Sequence, residues 1–154
     1  MEIDKTRILI VDDSVETQNN IKSILQKEEN VEIVGVCQNV NEAFEIIKDK
    51  SPNLVITEIV LKGEDGFELL EKINTLSKKP KVFVLSAISQ ESFVEKAMSL
   101  GALYYMAKPF NSNVLLKRIK EIDFGLSNNV QNKSKSKQLD EKITNIFRIT
   151  IYFL

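Results

Sequence analysis

Residues 8–13 read Ile8-Leu9-Ile10-Val11-Asp12-Asp13, four aliphatic residues closed by two aspartates. The same arrangement returns as LVITE at 54–58, VFVLS at 82–86 and YYMAKP at 104–109. Four to six apolar residues ending abruptly in a polar one suit a strand buried on both faces whose last residue emerges into a crevice. Between these runs lie longer segments with helical spacing, so the chain alternates strand and helix from Arg7 to Phe124. Repeated βα units of this kind build a parallel sheet.

Strands are predicted over 8–11, 31–36, 54–57, 82–85 and 103–107, and helices over 15–27, 41–48, 66–75, 91–100 and 112–122. In the fourth helix Phe93, Ala97 and Leu100 share one face, and Gly101 supplies the left-handed C-terminal stop. Right-handed crossovers then give an α/β fold, a doubly wound five-stranded parallel sheet (βα)5 of order 2-1-3-4-5, flavodoxin-like. Its ligand crevice lies at the carboxyl ends of the strands, where the order reverses between the first and third. Asp12, Asp13 and Glu58 are therefore expected to converge there.

Composition agrees with a packed domain. Of 154 residues, 43% are apolar and 28% charged, as in globular proteins, and the net charge of -1 gives no overall pull toward nucleic acid or membrane. No apolar run approaches the ~20 residues of a membrane span, and the amino-terminal MEIDKTR lacks the apolar core of a secretory signal. A lone cysteine, Cys37, excludes an intrachain disulfide and fits a reducing, cytoplasmic setting. The chain has no histidine, which removes Ser-His and Cys-His nucleophiles and histidine-ligated zinc. An enzyme is not expected.

The polar residues at the strand ends nevertheless carry chemistry. Three carboxylates, a hydroxyl and an ammonium can surround a divalent cation and a phosphoryl group. Asp13 supported by Asp12, the acid at position 58 and the backbone carbonyl of Val60 offer oxygens of the hard kind that Mg²⁺ prefers. Lys108 and Ser86 can meet two further phosphoryl oxygens. Singly each has an ordinary reading: a turn at Asp12-Asp13 with Ser14 as helix cap, a capping hydroxyl at Ser86, a loop at Lys108-Pro109. Four strand ends with the required residue types in the required order favour the joint reading.

This set, with Ser86-Ala87, Gly101-Ala102, Tyr105 and Lys108-Pro109-Phe110, resembles the receiver domain of bacterial two-component response regulators over residues 7–124. The resemblance implies a phosphoacceptor at position 58, where the family carries aspartate and this chain carries Glu58. It also implies Mg²⁺ at Asp12, Asp13, residue 58 and the Val60 carbonyl, catalytic support from Ser86 and Lys108, and a cis Lys108-Pro109 bond. Ser86 and Tyr105 take switch roles, with Tyr105 otherwise a half-buried aromatic on an edge strand. The implied partners are a phosphodonor kinase or histidine-containing phosphotransfer protein, and a homodimer or heterodimer formed through the fourth helix and fifth strand. Glu58 carries one methylene more than aspartate, which advances its carboxylate by about an ångström toward Lys108. It either blocks phosphorylation or imitates part of it. In the following loop Leu61-Lys62 replaces the family's Met-Pro, and Lys62 is expected to pair with Glu64 or Glu58.

Residues 84–110 and FELLEKINTL at 67–76 further resemble sporulation-initiation response regulators of spore-forming Gram-positive bacteria. The domain layout read from the sequence is a receiver at 1–124, a linker at 125–138 rich in Ser, Asn and Lys, and a segment at 139–154. In that last segment EKITNI resembles the opening of a DNA-binding effector domain, and FRITIYFL departs from it. DNA is expected as a partner only with a complete effector domain. The chain reads as a phosphorelay receiver from a transcription regulator; the alternative is a phosphorylation-independent interaction module or a degenerate truncated paralogue.

Overall fold

The computed structural model describes residues 4–122 and 124. The linker at 125–138 and the segment at 139–154 lie outside the described residues.

The element order is β1 (Thr6–Val11), α1 (Val15–Leu25), β2 (Val31–Cys37), α2 (Val40–Lys50), β3 (Leu54–Thr57), β4 (Val60–Leu61), β5 (Glu64–Asp65), α3 (Phe67–Ile73), β6 (Lys81–Ser86), α4 (Glu91–Ser99), β7 (Tyr104–Ala107) and α5 (Ser112–Glu121). Five strands form one sheet in the order β2-β1-β3-β6-β7, all adjacent pairs parallel. Counting only these strands along the chain, the order is the expected 2-1-3-4-5. The two-residue strands β4 and β5 form a separate antiparallel hairpin through Gly63, at φ +73°.

Side chains alternate across the sheet into two apolar layers. Leu9, Val11, Val55, Val82, Val84 and Tyr105 pack with residues of α2, α3 and α4, including Ala43, Leu69 and Ala97. On the opposite face Ile8, Ile10, Leu54, Ile56, Phe83 and Leu85 pack with Ile21 and Leu25 of α1 and Leu115 and Ile119 of α5. This is the doubly wound arrangement, and it explains why β1, β3 and β6 read as continuous apolar runs. The outer strand β2 differs, because it has a neighbour on one side only and most of its residues are partly exposed.

Caps set the helix starts. Ser14 is extended and its side chain accepts from the Thr17 N–H, and Asn39 and Asn111 cap α2 and α5 in the same way. Gly101 follows α4 at φ +100°, a conformation costly for other residues. Because the five strands run parallel, the loops after β1, β3, β6 and β7 lie at one end of the sheet.

Candidate functional site

Hydrogen bonds just beyond the strand ends fix the polar residues relative to one another. The Glu58 N–H donates to the Val11 carbonyl at 2.9 Å, the Asp12 N–H to the Cys37 carbonyl at 3.0 Å, and the Lys108 N–H to the Ser86 carbonyl at 2.8 Å. Each continues a sheet ladder by one residue into the crevice. Asp12, Glu58, Ser86 and Lys108 therefore stand on neighbouring strand ends, as expected from sequence.

Asp12 lies at the centre. Its Oδ1 accepts from the Ser14 N–H at 2.9 Å, forming the turn that opens α1, and its Oδ2 accepts from Lys108 Nζ at 2.8 Å. Lys108 Nζ also donates to Glu58 Oε1 at 3.2 Å, so one ammonium bridges two carboxylates. Glu58 Oε1 takes a second bond, from the Ala87 N–H at 3.1 Å. Glu58 Oε2 accepts from the N–H groups of Ile59 at 2.7 Å and Val60 at 3.4 Å. Asp12 is 2% exposed and Glu58 4%, against 17% for the Lys108 side chain, so the pairing is largely withdrawn from water. Burial raises the Asp12 carboxyl above its ordinary range, opposed by the Lys108 hydrogen bond. Burial works against the Lys108 ammonium, but its bond to Asp12 and the nearby carboxylate charges outweigh this and raise it above 10.5.

The buried polar and charged side chains among the described residues are Asp12, Gln18, Thr57, Glu58 and Ser86. All five belong to this crevice or brace it. Gln18, on the inner face of α1, donates to the Asp12 carbonyl, and Thr57 Oγ1 donates to the Glu58 carbonyl at 2.9 Å. Polar groups in a small core are usually hydrogen-bonded and few. Their concentration at one end of the sheet marks that end as the working site.

The loop between β6 and α4 is held from three directions. Ala87 is bound by Glu58, the Ile88 N–H donates to Ser86 Oγ at 3.1 Å, and the Tyr105 hydroxyl donates to the Ile88 carbonyl at 2.6 Å. Tyr105 is fully buried, not half-buried, because its ring lies in the apolar layer under α4. The Lys108-Pro109 bond is cis, as the resemblance implied.

The expected ion pair of Lys62 is corrected, and the contacts of Glu58 are defined. Among the described residues no three His, Cys, Asp or Glu side chains are grouped to hold a metal ion. The longer arm of Glu58 turns its carboxylate onto Lys108 and onto the N–H groups of Ile59, Val60 and Ala87. Lys62 forms no ion pair with Glu58 or Glu64 among the described residues; Glu58 is taken by Lys108, and Glu64 accepts the Val40 N–H at 2.8 Å. The amides of Ala87 and Ile88 and the brace Gln18 were not foreseen. Backbone donors carry no letter in a sequence, and only the polar character of Gln18 on an apolar helix face could have drawn notice.

Beside the crevice an open groove of about 710 Å³ runs from Lys108, Pro109 and Phe110 to Glu16, Thr17 and Asn20 of α1. Residues 8–120 match the model of the response regulator receiver domain family, and the chain belongs to that family. It is 30% identical over 141 residues to the uncharacterized transcriptional regulatory protein YesN of Bacillus subtilis (strain 168), an alignment covering 91% of this chain and 38% of the relative. The chain thus spans well under half of that protein's length. A CheY-like receiver domain protein from Methanospirillum hungatei JF-1 is 32% identical at a TM-score of 0.69, with 76% of this chain and 92% of the other covered. The CheX-CheY-BeF3-Mg+2 complex from Borrelia burgdorferi gives 28% identity and a TM-score of 0.68, with 73% and 85% covered. The receiver domain of the NarL response regulator of Mycobacterium tuberculosis, at 21% identity and a TM-score of 0.71 over 76% and 94%, shares the fold.

Proposed function

We propose that this chain is the receiver of a phosphorelay response regulator, with Glu58 at the phosphoacceptor position and Ser86, Lys108 and Tyr105 in the supporting and switch roles. The observation that carries the reading is the Lys108 ammonium bridging Asp12 and Glu58 at 2.8 and 3.2 Å, at the strand ends where phosphoryl chemistry is expected. A positive charge fixed there neutralises a phosphoryl group transferred from a histidine-containing partner. The groove along α1 gives that partner, a kinase or phosphotransfer protein, a place to approach. Output through transcription regulation is supported by the likeness to YesN, and requires an effector domain beyond the described residues. The narrower link to sporulation control rests on the resemblance of residues 67–76 and 84–110. A cytoplasmic location follows from such partners, and no helix among the described residues is long and apolar enough to cross a membrane.

Mg²⁺ accompanies the family resemblance, but the donor set does not fit it as arranged. Both Glu58 oxygens already accept hydrogen bonds, and one Asp12 oxygen is paired with Lys108. The same contacts favour a second reading, a receiver that presents its α4–β7 face to a second copy or another protein without phosphate, because Glu58 already holds the Ala87 amide.

The test is incubation with a small phosphodonor and Mg²⁺, followed by intact mass. A phosphoryl adduct on wild-type Glu58 supports native phosphotransfer. An adduct only on Glu58→Asp supports the receiver scaffold and the phosphate-independent reading. An adduct on neither variant contradicts the phosphorelay assignment.

A further inference from the structure

We infer that the Lys108 ammonium takes the place of a divalent cation in this crevice, so that the receiver holds its acidic site together without metal. The inference rests on the receiver reading and concerns the same residues.

Two carboxylates withdrawn from water, Asp12 and Glu58, cannot lie on adjacent strand ends without a neutralising charge. Lys108 supplies it to both, at 2.8 and 3.2 Å. Every oxygen of the pair already has a donor. Asp12 Oδ1 is bound by the Ser14 N–H and Oδ2 by Lys108, while Glu58 Oε1 is bound by Lys108 and Ala87 and Oε2 by Ile59 and Val60. Mg²⁺ demands near-octahedral oxygen ligands at about 2.1 Å and gives up its waters reluctantly. To bind here it would have to strip Lys108 from a carboxylate and sit against the displaced ammonium. Asp13, the other acid of the Asp12-Asp13 pair, is partly exposed.

The extra methylene of Glu58 is what makes the exchange work. It carries Oε1 far enough to meet Lys108 and the Ala87 amide together, while Oε2 folds back on its own backbone. A shorter side chain at this position gives up part of that reach and loosens its hold on Lys108 and the Ala87 amide.

The experiment uses the full chain, with Mn²⁺ followed by electron paramagnetic resonance and Mg²⁺ by thermal unfolding against a chelator. The wild type is expected to bind no Mn²⁺ saturably and to melt at the same temperature with and without Mg²⁺. Lys108→Met is expected to melt lower in chelator and to be restored by either cation, and Glu58→Asp to gain saturable Mn²⁺ binding. Saturable Mn²⁺ binding by the wild type with a Mg²⁺-dependent melting temperature overturns the inference. So does a Glu58→Asp chain that remains silent toward Mn²⁺, which decides the matter if Lys108→Met does not fold. Phosphorylation of Glu58→Asp tests the receiver reading separately, so either can fail alone.

Discussion

The Tyr105 hydroxyl donates to the carbonyl of Ile88 at 2.6 Å, tying β7 to the loop that leaves β6. One residue earlier the same loop is held by Glu58 through the Ala87 amide. The acidic crevice and the α4–β7 face are thus joined through two consecutive residues, Ala87 and Ile88. Tyr105→Phe keeps the ring in its layer and removes only the donor. It should cost about 1 kcal/mol, the worth of a typical hydrogen bond whose acceptor loses its partner. Urea unfolding reads the loss, and amide exchange at residues 86–88 should quicken with it. A variant as stable as wild type, with unchanged exchange, would show that the bond does not hold the loop.

Gly66 precedes α3, and its φ of -65° suits any residue. Space is what it lacks. A Cβ there would fall on the Ile59 carbonyl oxygen and within 2.8 Å of the Glu58 carbonyl. Gly66→Ala should therefore destabilise the domain by roughly 1–3 kcal/mol, the usual range for overpacking against groups that cannot give way. The midpoint of chemical unfolding measures it, and a neutral substitution would mean that the β4–β5 hairpin shifts freely.

Leu115 of α5 is fully buried between that helix and the sheet. Leu115→Ala leaves a cavity under α5 and should cost about 2–5 kcal/mol by the same unfolding measurement. A loss below that range would mean that α5 collapses onto the gap.

Lys108 gives the stability a pH dependence at the alkaline end. Its folded-state pKa lies above the ordinary 10.5, so the folded chain holds this proton more tightly than the unfolded chain does. That contribution is fully present below 10.5 and is lost as pH rises through the raised value. Unfolding followed from neutral to strongly alkaline pH should show the decline in wild type and a shallower one in Lys108→Met. Parallel curves would place the ammonium outside the folding equilibrium.

Much of this was legible in the sequence because buried parallel strands leave few choices. The run Leu54–Thr57 is a strand over the same four residues in the structure, and Ser14 caps α1 as its position after Asp12-Asp13 suggested. The β4–β5 hairpin was not legible, since strands of two residues have no period to read. Tyr105 looked half-buried because edge strands usually are; α4 covers it here. Asp12 and Glu58 were legible as strand-end neighbours, and Lys108 bridges them in the structure. Where the Glu58 carboxylate turns is decided by the amides of Ile59, Val60 and Ala87, which depend on loop geometry and on no side-chain identity.

A double-mutant cycle measures the pairing of Glu58 with Lys108 across the crevice directly. Glu58→Gln, Lys108→Met and the double variant are unfolded in urea beside the wild type, with Asp12 kept throughout. A coupling free energy of about 1–3 kcal/mol is expected, as for side chains that share a buried charge network. Losses that simply add, to within about 0.5 kcal/mol, would contradict it.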